Sequence, residues 1–217
     1  MTKAPSILLL VLLLTASAVS FSAAPLHAQG HGSERFDPVF RKYSKRFFGV
    51  GFDWRVFKAQ GMAESNLDTL AHSWVGARGI MQLMPSTFLD IQSHNPEFTA
   101  IDDPEWNIAA GILHDRSLWK LWAEQPSDSD RRNFMFASYN AGRTTILRAQ
   151  GTAQARALDH RIWQNIERVA PEVQRWRYQE TLGYVHKIEG NFSGLDSRGD
   201  TARHALPTPQ LPRTTPR

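Results

Sequence analysis

Glu64 is the residue of this chain whose position best suits chemistry. It follows Phe57, Gln60 and Gly61 at spacings that place all four on one face of a helix. Gly61 and Ala63 are small and leave room for a ligand beside the carboxyl group. A carboxyl group in a dry, apolar setting keeps its proton near neutral pH and can protonate the leaving oxygen of a glycosidic bond. Taken alone, Glu64 is better explained as a solvent-facing helical glutamate with no task.

A second carboxylate would decide between mechanisms, because ordinary glycosidases use two. Asp68 lies four residues after Glu64, and Glu180 lies far downstream. Either could be the partner of Glu64. Residue types alone therefore do not separate hydrolysis from a reaction that needs one carboxylate.

Four short segments give Glu64 a context. In order, they are AESN at 63–66, GIMQLMP at 79–85, ASYNAG at 137–142 and ETLGYV at 180–185. Together they resemble the catalytic domain of the lytic murein transglycosylases of the soluble, goose-lysozyme-like (SLT) type. Each segment alone is a weak signal, but four in this order are hard to explain otherwise. The resemblance covers residues 36–192.

The resemblance implies a reaction with one carboxylate. No cofactor or metal ion is expected, because the eight histidines form no His-Glu-x-x-His pattern and the sequence has no Gly-rich phosphate loop. Glu64 would act as an acid on the β-1,4 bond between MurNAc and GlcNAc in peptidoglycan, and then as a base. The N-acetyl group of MurNAc assists departure, and its C6 hydroxyl attacks the anomeric carbon, which leaves a 1,6-anhydro end. Two alternatives stay open: a hydrolytic muramidase of the same fold, and a wall-binding accessory of a secretion apparatus.

The same resemblance implies a set of substrate-binding residues, namely Ser65, Met81, Gln82, Tyr139, Asn140, Glu180 and Tyr184. Met81 and Gln82 are expected to face the sugar, and Gln82 to hydrogen-bond to it. Tyr139 is expected near the catalytic carboxyl group and the N-acetyl group. Asn140 also suits a role in holding the turn that follows it, and Glu180 a role in bracing the cleft.

Helices are expected to position these residues, since apolar residues recur at spacings of three and four and no long stretch alternates as a strand does. Asp53 is expected to cap the helix that carries the catalytic glutamate, and Asp103, followed by proline, to start another. Gly142 should end a third, and Pro171 should start the last long one. The fold class predicted is all-α dominated, within the lysozyme-like α+β superfamily: a single compact helical domain with a substrate cleft.

The segment 66–78 is the least regular stretch of this domain. It contains Trp74, in polar surroundings beside the catalytic segment. Most of the seven tryptophans are expected in the core. Because binding residues concentrate in loops, Trp74 is also a candidate for stacking on a sugar ring.

The two ends of the chain are expected to lie outside the domain. Residues 1–28 have the layout of a signal peptide, with Lys3 before an apolar run and small residues after it. The run is short for a membrane span, which needs about 20 residues, although an uncleaved anchor stays open. Cleavage is expected after Ala28, with Ala18 and Ala24 as alternatives. Residues 193–217 are rich in Gly, Asp, Arg, Thr and Pro and are expected to form a disordered tail.

The cysteine count and the net charge restrict the partners and the cellular compartment that can be expected for this protein. The chain has no cysteine, which excludes a lipid anchor on cysteine, a disulfide and a thiolate metal site. Its net charge is +4. With an export signal, nucleic acid is not expected as a partner. The positive charge fits acidic peptidoglycan, and it is explained equally well as an arginine excess that keeps the protein soluble. We expect a periplasmic or cell-wall location, and proteins of the wall or of a secretion machine remain open as partners.

Overall fold

Eight α-helices form the described part of the chain, which is residues 34–204 of a computed structural model, with side chains described as far as residue 196. They are α1 (Asp37–Phe48), α2 (Arg55–Ser65), α3 (Pro85–His94), α4 (Pro104–Leu121), α5 (Asp128–Ala141), α6 (Arg143–Ala155), α7 (Trp163–Val169) and α8 (Tyr178–His204). A 3₁₀ turn, Ala170–Glu172, follows α7. The predicted signal peptide, 1–28, lies outside the described residues. Within residues 34–204, β-structure is limited to two isolated bridges, His72–Arg78 and Arg78–Leu83.

Two of the predicted helix starts rest on capping carboxylates. The Asp103 side chain accepts hydrogen bonds from the backbone N–H groups of Glu105 and Trp106, at 2.9 and 3.1 Å. Asp53 accepts one from the backbone N–H of Arg55 at 3.0 Å. Both satisfy amides that the first turn of a helix leaves without a partner. The predicted start of α4 is therefore confirmed, whereas Trp54 occupies the N-cap position of α2 and Asp53 bonds to the first amide from one residue earlier.

The core lies where α2 and α8 pack together, with α5 beside α8 and α1 against α4. Phe57 of α2, Phe134 of α5 and Val185 of α8 are fully buried there. Each large apolar side chain buried in this way contributes about 1.5–3 kcal/mol to the stability of the fold. The pairing of α2 with α8 matters most for function, because these helices carry Glu64 and Tyr184.

The last long helix begins later than predicted. Pro171 lies in the 3₁₀ turn, and the chain then takes a left-handed backbone conformation at Arg175, with φ of 57°. A left-handed residue interrupts a right-handed helix. The expectation that Pro171 opens this helix is wrong, and α8 starts at Tyr178.

The last long helix also ends later than the predicted domain boundary at Phe192. It continues to His204. Leu195 packs against the core, and Asp196 forms an ion pair with Arg55 of α2 at 2.7 Å. The domain therefore extends beyond residue 192, and the predicted disordered tail does not begin at residue 193. Residues 205–217 lie outside the described part.

None of the helices described here is both long enough and apolar enough to cross a lipid bilayer.

Candidate active site

Glu64 lies in the last turn of α2, where the helix stops abruptly. Asn66 and Leu67, which follow, both take left-handed conformations, with φ of 55° and 65°. The chain then leaves α2 as an irregular loop that returns to the same place at residues 79–84. Glu64 therefore lies at the end of α2, where the returning loop and α8 meet this helix.

Two residues of α8 act on the Glu64 carboxyl group, one through a hydrogen bond and one through its charge. The Tyr184 hydroxyl donates a hydrogen bond to Glu64 Oε1 at 2.6 Å. Lys187 Nζ donates one to the backbone carbonyl oxygen of Ala63 at 2.6 Å, which brings its positive charge close to Glu64. Burial raises the pKa of Glu64 to about 7, against the lowering effects of the Tyr184 hydrogen bond and the Lys187 charge. At neutral pH, Glu64 is thus poised both to give and to take a proton.

The returning loop is fixed by hydrogen bonds to its backbone. Ser65 Oγ donates to the carbonyl oxygen of Ile80 at 2.9 Å, and Tyr139 Oη donates to that of Met81 at 2.8 Å. The Tyr139 ring packs edge-on against His114, with ring centroids 5.2 Å apart. Burial raises the pKa of Tyr139 well above its usual value, so its hydroxyl remains a donor. Ser65 and Tyr139 therefore fix the returning loop beside Glu64, and the substrate contacts expected of them remain predictions.

Asn107 of α4 is a buried anchor that the sequence reasoning did not single out. It makes three hydrogen bonds to backbone: it accepts from Met81 N at 2.8 Å, and donates to the carbonyl oxygens of Arg78 and Ile101 at 3.0 Å each. Gly79 has φ of 72°, and a Cβ there would lie 2.6 Å from Asn107 Nδ2. A glycine at 79 thus serves both the turn and the close approach of this asparagine.

Met81 corrects one expectation. Its side chain is fully buried and does not face a ligand. It fills the space beside Gly111 of α4, where an added Cβ would lie 2.8 Å from Met81 Cβ. Met81 therefore contributes its backbone carbonyl to the site and its side chain to the core.

Gln82 sits beside Met81 in an uncommon conformation. Its φ is 44°, and its side-chain Nε2 donates to the carbonyl oxygens of Ala71 and Gly79 at 3.1 and 2.9 Å. These bonds join the returning part of the loop to its middle, at residue 71. The sugar contact expected of Gln82 remains a prediction.

Asn140, at the end of α5, and Glu180, in the first turn of α8, form no hydrogen bond with the Glu64 carboxyl group. Asn140 Oδ1 accepts a hydrogen bond from Thr181 Oγ1 at 2.9 Å, and so joins the end of α5 to α8. Glu180 is exposed and pairs with Arg177 at 3.0 Å. Asn140 thus links two helices, and the roles expected of Asn140 in the turn and of both residues in sugar contact remain predictions.

Neither predicted second carboxylate acts on Glu64. Asp68 is exposed and accepts from the backbone N–H of Leu70 at 2.9 Å. Among the described residues, the groups that shift the pKa of Glu64 include neither Asp68 nor Glu180. The carboxyl group that does interact with Glu64 is Asp115 of α4, whose pKa the charge of Glu64 raises further.

Trp74 is the most exposed large apolar side chain near the site. Its exposed fraction is 91 %, and its neighbour Val75 is 51 % exposed. An indole in water is available to a ligand, so the predicted stacking of Trp74 on a sugar remains open to test.

Residues 42–162 match the family model of the transglycosylase SLT domain. The chain belongs to this family. The matched range includes three of the four sequence segments, with Glu64 and Tyr139 among them, and ends before the segment with Tyr184. The resemblance predicted from the sequence is confirmed.

Two relatives place the SLT domain within larger proteins. The membrane-bound lytic murein transglycosylase F of Desulfosudis oleivorans is 32% identical over 157 residues, which are 71% of this chain and 33% of that protein. The protein of the same name from Vibrio cholerae serotype O1 is 28% identical over 172 residues, 78% of this chain and 28% of its own. The chain therefore spans about a third of the length of these relatives.

Solved structures show the same fold. The 70-kDa soluble lytic transglycosylase from Escherichia coli superposes with a TM-score of 0.58 at 22% identity, over 73% of this chain and 24% of that one. The complex of a 70-kDa soluble lytic transglycosylase with bulgecin A gives a TM-score of 0.53 at 21% identity, over 73% and 24%. The predicted lysozyme-like, helix-dominated fold is confirmed.

Proposed function

We propose that this SLT domain is a peptidoglycan lytic transglycosylase that cleaves the β-1,4 bond between MurNAc and GlcNAc and forms 1,6-anhydro-MurNAc ends. The observation that carries the proposal is the setting of Glu64: a desolvated carboxyl group, with a pKa of about 7, bonded to Tyr184. The family and the names of the relatives support the substrate and the type of reaction.

A single carboxyl group suffices for both steps of this reaction. Glu64 gives its proton to the glycosidic oxygen while the bond to the anomeric carbon breaks, with the N-acetyl oxygen of MurNAc attacking that carbon. The resulting Glu64 carboxylate takes the proton of the C6 hydroxyl, whose oxygen forms the new bond to the anomeric carbon and displaces the N-acetyl oxygen. No water is consumed, and Glu64 returns to its starting state.

The remaining predicted residues have proposed roles around this centre. Tyr184 orients the carboxyl group, and Ser65 and Tyr139 fix the wall formed by residues 79–82. Gln82 and Trp74 would contact the glycan. We also propose export of the protein through the segment 1–28 to the periplasm or cell wall, where peptidoglycan is found.

Product analysis tests the proposal directly. Purified sacculi are digested with the protein lacking residues 1–28, and the products are separated and weighed by mass spectrometry. We expect ends lighter by one water than reducing MurNAc ends. Reducing ends would make the protein a hydrolytic muramidase, and binding without cleavage would make it a wall-binding accessory; either result overturns the proposal.

Replacing Tyr184 with phenylalanine is expected to move the alkaline limb of the pH–rate profile upward. The Tyr184 hydroxyl donates to Glu64 and stabilises its ionised form, so its removal raises the pKa of Glu64 above about 7. Glu64 must be protonated for the first step, and the variant should keep that proton to higher pH. The measurement is kcat/KM against pH on a soluble glycan.

The matched control is Tyr178→Phe, the same change on the same helix at a residue packed against the core away from Glu64. We expect its profile to coincide with that of the wild type. A limb for Tyr184→Phe that stays in place or moves to lower pH would contradict the role given to this hydroxyl.

A further inference from the structure

A buried polar contact joins α2 and α4 beneath the Glu64 carboxyl group. Gln60 and Asp115 both have an exposed fraction of 0%. Gln60 Nε2 donates to Asp115 Oδ1 at 3.4 Å. The other two atoms of the pair, Gln60 Oε1 and Asp115 Oδ2, are buried and have no hydrogen-bond partner. Buried polar atoms are rarely left in this state, because each one costs free energy.

The surroundings of Asp115 offer no positive charge to balance a carboxylate. Within residues 34–196, no ion pair involves Asp115. The neighbouring helices bring three titratable groups into electrostatic interaction with Asp115. They are Glu64 of α2, Tyr139 of α5 and Tyr184 of α8. Its neighbours in sequence are His114, whose pKa burial lowers, and Arg116, whose guanidinium group lies over the Phe48 ring and not among the groups that shift the pKa of Asp115. A buried carboxyl group without a cation gives up its charge.

One proton on Asp115 satisfies both unpaired atoms. An Oδ2–H group of Asp115 can donate to Gln60 Oε1 while Gln60 Nε2–H donates to Asp115 Oδ1, which closes a ring of two hydrogen bonds. We propose that Asp115 is a neutral carboxylic acid paired in this way with the Gln60 amide, and that the pair positions Glu64. Burial and the nearby Glu64 charge also raise the pKa of Asp115 well above its usual value.

The pair acts on Glu64 through α2. Gln60 precedes Glu64 by one helical turn on the same face. The ring of hydrogen bonds therefore locks this face of α2 to α4 without placing a second negative charge beside the catalytic carboxyl group. An ionised Asp115 would instead repel the Glu64 carboxylate and raise its pKa. Asp115 is thus a positioning residue, and this part of the inference rests on the proposed role of Glu64.

Replacing Asp115 with asparagine tests the pairing. Asparagine has the shape of a neutral aspartic acid and can form the same two hydrogen bonds with Gln60. We expect kcat/KM on a soluble glycan to keep its alkaline midpoint. If Asp115 were ionised in the wild type, the variant would lose a repelling charge, and the midpoint would move to lower pH; that shift would overturn the proposal.

Thermal stability gives a second readout that does not depend on activity. In the wild type, folded Asp115 holds its proton at pH values where the unfolded chain has lost it. The wild type therefore loses stability as the pH rises from the unfolded pKa toward the folded one, whereas Asp115→Asn does not. The difference in Tm, variant minus wild type, should therefore increase as the pH is raised from acid to neutral. A difference for Asp115→Asn that is independent of pH would overturn the proposal.

Infrared spectroscopy detects the proton itself. The comparison is between Glu64→Gln and the double variant Glu64→Gln/Asp115→Asn at pH 7, because neither contains the Glu64 carboxyl group. The first should show a carbonyl band of a protonated carboxylic acid that the second lacks. Absence of that band would overturn the proposal whether or not the protein cleaves peptidoglycan. A failed product analysis with the band present would overturn the proposed function alone.

Discussion

Replacing Glu64 with glutamine is expected to lower the turnover of purified sacculi by about 10²–10⁴-fold, the range that acid–base catalysis contributes. Glutamine keeps the shape of the side chain and can accept the hydrogen bond of Tyr184, but it cannot deliver a proton. The release of soluble glycan fragments measures turnover, and circular dichroism with thermal unfolding measures the fold.

The matched control for this change is Glu172→Gln. Glu172 is an exposed glutamate that pairs with Arg156 at 2.7 Å, outside the site. We expect this variant to digest sacculi at the wild-type rate. Near wild-type turnover by a folded Glu64→Gln variant would show that another group supplies the proton.

Replacing Gly79 with alanine is expected to destabilise the domain strongly, and more than the same change at Gly76. Both glycines have positive φ, 72° and 91°, so alanine adds backbone strain of about 1–3 kcal/mol at either position. At Gly79, the new Cβ also meets Asn107 side-chain atoms at 2.6–2.9 Å, whereas at Gly76 nothing lies within 4 Å. Crowding of a packed site adds about 1–3 kcal/mol.

Chemical denaturation of the two variants measures this difference as a change in the free energy of unfolding. Gly76→Ala carries the strain without the collision and is therefore the control. Equal losses of stability in the two variants would mean that Asn107 moves aside at little cost. That result would contradict its assignment as the anchor of residues 78–81.

Local rules predicted the elements of the fold whose signals lie within a few residues. Asp103 caps α4 because a carboxylate before proline meets the free amides of the first turn, and Gly142 ends α5 with φ of 81°. Pro171 failed as a start signal for α8. The proline is compatible with a helical turn, but the left-handed Arg175 interrupts the chain after it, and no rule for single residues marks an arginine for that conformation.

The sequence predicts those site residues whose role follows from their neighbours in the chain. It does not predict those whose role depends on packing against distant parts of the chain. Glu64 is identified by its helical face and its neighbours in sequence. Met81 turns inward because Gly111, thirty positions away on α4, leaves the space for it. Asn107 and Asp115 were missed for the same reason: their partners on the returning loop and on α2 lie far away in the sequence.

The bond between Tyr184 and Glu64 spans 120 positions of the chain. Synthesis proceeds from the N-terminus, so Glu64 is made long before the helix that covers it. Until α8 docks on α2, water reaches the carboxyl group, which then ionises at its ordinary pKa and holds no proton to give at neutral pH. The proposed activity should therefore appear only with the final packing step, and measuring it would report complete folding.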